Sequence, residues 1–182
     1  MKKIKIVYAG LLGVAQDLLS IIEHVDFMGL RAELHIYGGG NQKNNIERYV
    51  ASHQCNVFYH GYVEESRMQK ILKQYDVSLI PLAKYIRGAV PSKIFDTMPL
   101  GIPMLFCGEG EGAEMIKKYG LGLVSGAGDY EKLASNIRLL SQMSEQKLHQ
   151  MSINAQSVSR SCFNFERQID ECYEFCSQIV GE

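Results

Sequence analysis

Short apolar runs alternate with helix-periodic segments along this chain, and nearly every run stops at a glycine or proline. Ile4-Lys5-Ile6-Val7-Tyr8-Ala9 ends at Gly10, Leu34-His35-Ile36-Tyr37 at Gly38, Asn56-Val57-Phe58-Tyr59-His60 at Gly61 and Val77-Ser78-Leu79-Ile80 at Pro81. Met104-Leu105-Phe106-Cys107 ends at Gly108, and Gly122-Leu123-Val124 forms a short sixth run. Between them, Leu18, Ile21, Ile22 and Val25 recur at helical spacing, as do Met68, Ile71, Leu72 and Tyr75. Further helices are expected around Ile46 to Val50, from Ser92 to Gly101 and from about Ala113 to Tyr119. After Asp129 the pattern is helical throughout. Leu133, Ile137 and Leu140 form one stripe, and Phe165, Ile169, Cys172, Tyr173, Cys176 and Ile179 share a face of a last helix. Strands that alternate with helices point to a parallel sheet covered on both faces. The expected fold is α/β: a doubly wound, six-stranded, Rossmann-like parallel sheet with C-terminal helices. In such folds ligands lie beyond the carboxyl ends of the strands. The loops to examine are therefore Gly10 to Gln16, Gly38 to Gln42, His60 to Glu65, Ala83 to Ser92 and Gly108 to Gly112.

Bulk properties narrow the function classes. At 182 residues, 46% hydrophobic and 21% charged, the chain suits one globular domain, or one with a tail. A net charge of −1 with scattered basic residues gives no reason to expect a nucleic-acid partner. No apolar run approaches the roughly 18 residues that span a bilayer, so membrane association is expected to be peripheral at most. Ile4 to Ala9 is too short for a signal peptide, and a cytoplasmic location is expected. The five cysteines contain no CxxC pair. Cys172 and Cys176 could offer two metal ligands, but no second pair completes a site, and reduced thiols fit the count better.

Candidate chemistry concentrates on three loops. Pro91-Ser92-Lys93-Ile94-Phe95-Asp96 opens a helix. Ser92 can cap it, and Lys93 adds positive charge beside free backbone N–H groups, a natural place for phosphate. Asp96 lies one turn further on. Lys93 and Asp96 could hold the two ends of a nucleotide, diphosphate and ribose. They could equally form an ordinary surface salt bridge. Gly10 and Gly13 follow the first strand and could bring N–H groups to a phosphate, or form only a tight turn. GxGxxG is absent, and the second strand lacks the acidic residue a dinucleotide ribose would need, which argues against NAD. Gly108-Glu109-Gly110-Glu111-Gly112 allows close backbone approach, with Glu109 or Glu111 available to sugar hydroxyls; a flexible acidic loop before a helix is the alternative. His60 ends the third strand and is expected to be hydrogen-bonded and structural, with a catalytic role as the alternative.

Together, Tyr8-Ala9-Gly10, His60-Gly61-Tyr62-Val63, Tyr75-Asp76-Val77-Ser78-Leu79-Ile80-Pro81, Pro91 to Asp96, Gly101-Ile102-Pro103 and Gly108-Glu109 resemble, in order and spacing, the C-terminal half of a GT-B glycosyltransferase. That half binds the nucleotide sugar. The resemblance is to family 4 of the retaining enzymes, and within it to bacterial enzymes of surface-polysaccharide assembly with a Pro-Ser-Lys variant. It covers Lys3 to about Leu140. It implies that Asp96 takes the place of a ribose-binding glutamate, whose paired first glutamate would fall at Gly88. It implies that the backbone at Tyr62 and Val63 holds the base, and that Glu109, Gly110 and Glu111 face the sugar. The family's diphosphate-binding Arg and Lys correspond to Leu11 and Gln16, so Ser92, Lys93 and backbone N–H groups would carry that charge. No metal and no cofactor are expected beyond the nucleotide-sugar donor, with UDP as its nucleotide.

On this resemblance, residues 1–160 form the nucleotide-sugar-binding domain, and residues 161–182 a helix that crosses to a missing N-terminal acceptor domain or subunit. The stripe from Phe165 to Ile179 could instead pack on this domain's own core. The expected function is the donor half of a glycosyltransferase acting on a glycan or lipid-linked acceptor, inactive alone. Half of a nucleotide-sugar epimerase and a non-catalytic nucleotide-binding or assembly module are the alternatives.

Overall fold

The computed structural model describes residues 3–83, 88 and 90–180. Six strands, β1 (Ile4–Ala9), β2 (Ala32–Tyr37), β3 (Val57–Tyr59), β4 (Val77–Pro81), β5 (Met104–Cys107) and β6 (Gly122–Ser125), pair in the order β3-β2-β1-β4-β5-β6. Every pairing is parallel. Eight α-helices accompany them among the described residues: α1 (Leu18–His24), α2 (Lys43–Ser52), α3 (Glu65–Leu72), α4 (Ser92–Thr97), α5 (Glu111–Tyr119), α6 (Tyr130–Gln142), α7 (Glu145–Cys162) and α8 (Phe165–Val180). This is the doubly wound sheet that the strand–helix alternation predicts.

The two-residue period of the strands sorts side chains to the two faces. Ile4, Ile6, Leu34, Ile36, Leu79 and Leu105 pack with α1, α2 and α6 residues such as Ile22, Ile46 and Ile137. Ile80, Met104 and Phe106 face the other way, against Ile94 of α4, Ile116 of α5 and Ala155 of α7. Val7 and Tyr37 share that second face with Leu72 of α3 and with Ile102. Both faces being covered explains why the strands read as nearly continuous apolar runs.

Two helices start at side-chain caps. Asp129 accepts from the Lys132 N–H at 2.9 Å and starts α6; the Ser144 hydroxyl accepts from the Lys147 N–H and starts α7. Gly101, at φ 67°, closes the short turn Met98–Leu100 that follows α4. Ser92 does not cap. Pro91 takes the cap position, and Ser92 is the first helical residue, exposed and making no capping bond. Helix α7 lies back on the domain, where Ser152 donates to the Gly101 carbonyl and Asn154 to the Gly120 carbonyl at 3.2 Å.

Helix α8 is different. Phe165 is 74% exposed, Ile169 51%, Tyr173 74% and Ile179 60%, so its apolar stripe does not pack on this domain's core. No helix among the described residues is long and apolar enough to cross a membrane.

Ile6 is fully buried at the centre of β1. Ile6→Ala should lower the unfolding free energy by about 2–5 kcal/mol, through lost transfer energy and the cavity left behind. Urea denaturation measures this. A loss within about 0.5 kcal/mol, as at a surface site, would contradict the packing described.

Candidate functional site

The strand order reverses at β1. The chain leaves β1 towards β2 on one side, and β4 lies on the other. Connections splay apart there, opening a crevice beyond the carboxyl ends of β1 and β4. Three predicted segments follow neighbouring strands at this end of the sheet: the Gly10–Gln16 loop after β1, α4 after β4 and the Gly108–Gly110 loop after β5, and Lys93 of α4 closes on Gly10.

The Gly10–Gln16 loop is held from several sides. Gly10 N–H donates to the Tyr37 carbonyl at 2.9 Å and Leu12 N–H to the Gly39 carbonyl at 2.8 Å. The Leu12 carbonyl accepts from Gln42 N–H at 2.9 Å, and Ala83 N–H donates to the Ala15 carbonyl at 2.7 Å. Tyr8, buried beneath, donates its hydroxyl to the Leu11 carbonyl. By contrast, the N–H groups of Gly13, Val14 and Ala15 have no acceptor among the described residues. They are free for an anion. The glycines after β2 serve this loop. A Cβ on Gly38, at φ 141°, would collide with the Gly10 carbonyl oxygen.

Lys93 reaches across the crevice. A Cβ on Gly10 would collide with its Cε and Nζ, so the ammonium occupies the space that a side chain there would fill. Its Nζ lies 5.7 Å from the centroid of the Tyr8 ring. Burial pulls the Lys93 pKa below the ordinary lysine value, and the charge of Asp96 opposes this. The expected alternative, a surface ion pair, is not formed: Lys93 and Asp96 are not among the ion pairs of the described residues. Asp96 is exposed, and the surrounding protein raises its carboxyl pKa; Lys93 pulls it down and Glu65 pushes it up. Asp96 borders a groove of about 880 Å³ shared with Phe95, Arg160, Phe163 and Phe165.

The remaining predicted residues are placed as follows. Gly110, at φ 78°, caps α5, and the N–H groups of Glu111, Gly112 and Ala113 lack acceptors among the described residues. Glu109 and Glu111 are exposed. Tyr62 is 77% exposed, whereas Val63 packs beside Val7, Tyr37 and Leu72. The Gly61 carbonyl accepts from Gly38 N–H at 2.8 Å, joining the Tyr62–Val63 segment to the glycines after β2. The Gln16 side-chain oxygen is buried without a partner among the described residues. Gln16 and Ser125 line a cavity of about 10 Å³. Gly88 is described, but residues 84–87 and 89 of the same loop lie outside the described residues.

His60 has the structural place expected of it. Its Nε2 is 2.9 Å from His35 Nδ1, its ring stacks on Tyr37, and burial and then His35 lower its pKa. Among the described residues, no group of three or more His, Cys, Asp or Glu is arranged to hold a metal. Sequence reasoning missed two contributors. One is Tyr8; its signal was an aromatic two residues before Gly10, at the carboxyl end of β1. The other is Asp17, whose carboxylate accepts from Ser20 at 2.6 Å and from Tyr130 at 2.9 Å, fixing the loop's exit.

Comparison with known proteins places this geometry. Residues 3–143 match the family described as glycosyl transferases group 1. No protein of curated function matches the sequence. Among solved structures, sucrose-phosphate synthase from Thermosynechococcus elongatus superposes with TM-score 0.82 at 16% identity, covering 99% of this chain and 46% of that one. The pneumococcal O-GlcNAc transferase GtfA, solved with UDP and GlcNAc, gives TM-score 0.75 at 16% identity, covering 100% and 37%. The C-terminal domain of a glycosyl transferase group 1 protein from Francisella tularensis gives 0.70 at 13%, covering 90% and 87%. This chain thus spans less than half the length of the first two and nearly all of the isolated C-terminal domain. Its Rossmann-like sheet is the C-terminal half of a GT-B fold, and the chain belongs to the glycosyl transferases group 1 family.

Proposed function

We propose that this chain binds the nucleoside-diphosphate part of an activated sugar, UDP-linked, and supplies the donor half of glycosyl transfer to a glycan or lipid-linked acceptor. The observation that carries this reading is the Lys93 ammonium held over Gly10 at the β1–β4 crevice, with N–H groups at Gly13 to Ala15 that have no acceptor among the described residues. The diphosphate sits on these groups. They stabilise the charge that develops on the departing UDP, which is what transfer from a nucleotide sugar requires. Asp96 receives the ribose hydroxyls, the backbone of Tyr62 and Val63 the base, and Glu109 to Glu111 the sugar. The site needs no metal in this reading. The UDP bound in the pneumococcal transferase supports the choice of nucleotide.

The acceptor half comes from another domain or subunit. Two observations support this: the chain covers 37% and 46% of two larger transferases, and the apolar stripe of α8 is exposed among the described residues. Around that stripe, Glu166, Asp170, Glu171 and Glu174 outnumber Arg167. An acidic rim suits a protein partner with basic residues better than an anionic lipid surface. The isolated chain binds donor without transferring sugar.

Calorimetric titration with UDP tests the donor site. A charge-assisted contact is worth about 1.5–3 kcal/mol, so Lys93→Ala should weaken binding roughly tenfold to a hundredfold. Asp96→Asn should weaken it less. Absence of binding to UDP, GDP and UDP-sugars would favour a non-catalytic assembly module.

The pH dependence has a defined sign. Diphosphate favours charged Lys93, so affinity is full below the free-state lysine pKa and falls as pH rises through it, earlier than for an ordinary lysine. Ribose favours ionised Asp96, so affinity also falls as pH drops through a carboxyl pKa above the usual value. Titrations across pH should therefore give a bell. The alkaline limb should vanish in Lys93→Ala, and an unchanged limb there would contradict the role of Lys93.

A further inference from the structure

We propose that Tyr8 is a positioning residue for the diphosphate site: its ring supports the Lys93 ammonium, and its hydroxyl fixes the Leu11 carbonyl. The inference rests on the reading of Lys93 as the diphosphate's cation. Tyr8 is completely buried in the first-face core beside Leu12, so its ring cannot move aside. Its hydroxyl donates to the Leu11 carbonyl, and lies 3.7 Å from the place a Gly10 Cβ would take. The Lys93 Nζ lies 5.7 Å from the ring centroid, and no carboxylate forms an ion pair with it among the described residues. A half-buried ammonium needs some favourable partner, and the ring face supplies one. The same side chain therefore sets both walls of the crevice. The ring sets the height of the cation over Gly10. The hydroxyl holds the turn from which the Gly13, Val14 and Ala15 N–H groups follow. A carboxylate in this place would bind the ammonium and compete with the phosphate; a neutral ring does not.

Two measurements on the same chain test this. In the unsubstituted protein, proton NMR should show the Lys93 ε-methylene signals shifted upfield by the Tyr8 ring current. Tyr8→Phe should keep that shift, while UDP affinity falls about threefold to tenfold through the lost hydroxyl bond. Tyr8→Leu should abolish the shift and weaken UDP binding as far as Lys93→Ala does. Lys93 ε-signals at the positions of a solvated lysine would overturn the proposal, whether or not Tyr8→Leu folds. So would a folded Tyr8→Leu that binds UDP as the parent does. If the parent binds no UDP, the donor reading fails, and the ε-methylene shift alone decides whether Tyr8 holds Lys93.

Discussion

A cation held partly out of water, without a carboxylate paired to it among the described residues, is the constraint on which the rest of this molecule's crevice depends. Lys93 comes from the first turn of α4, yet its charged end lies over β1, on the far side of the strand reversal. Removing an ammonium from water is costly unless something replaces the lost hydration. Here the partial replacements are the Tyr8 ring and the field of Asp96 one turn away. The arrangement requires that position 10 carry no side chain. Gly10 in turn sits where it does because Gly38 lets the β2 loop pass against its carbonyl, with the Tyr37 carbonyl taking its N–H. Lys93 thus leaves no room for a side chain at position 10, and the Gly10 carbonyl leaves none at position 38.

The same constraint explains what surrounds the cation. Related enzymes are expected to place an arginine and a lysine on the first loop, but this chain has Leu11 and Gln16. Leu11 is 62% exposed and Val14 is 64% exposed, so the loop offers the crevice backbone N–H groups and apolar side chains rather than a second cation. The Gln16 oxygen is buried beside Gly13 and adds no charge. Among the described residues, the groups proposed for the anion are then Lys93 and the N–H groups at the Gly13 turn and the α5 start.

The architecture was legible in the sequence because sheet burial on both faces leaves nearly unbroken apolar runs, and parallel connections need glycines at strand ends. The site was legible in part. Lys93 was recognisable as a cation at a helix start, but its direction was not, since a lysine stem can turn to either side of α4 and only the missing Cβ at Gly10 decides. Ser92 looked like a cap because its residue type favours that role, yet Pro91 already holds the extended backbone the cap needs. The loop from Gly38 to Gln42 stood among those to examine for a ligand, and its Gly38 and Gly40 make room for the Gly10–Gln16 loop. Asp17 and Tyr130 meet across 113 positions of sequence, a contact that no local pattern encodes. The α8 stripe was visible as a face, but its exposure is a tertiary fact.

Lys93, the Gly13 turn and the α5 start belong to three separate segments, and their joint action on one ligand is the central claim. The most direct measurement is a ¹H–¹⁵N NMR titration of the chain with UDP. The account predicts that Gly13, Val14, Ala15, Lys93, Glu111 and Gly112 amides shift together along one saturation curve, with Tyr62 and Val63 following. No shifts at saturating UDP, or shifts confined to the amino ends of the strands around Ile4, Ala32 and Val77, would contradict it.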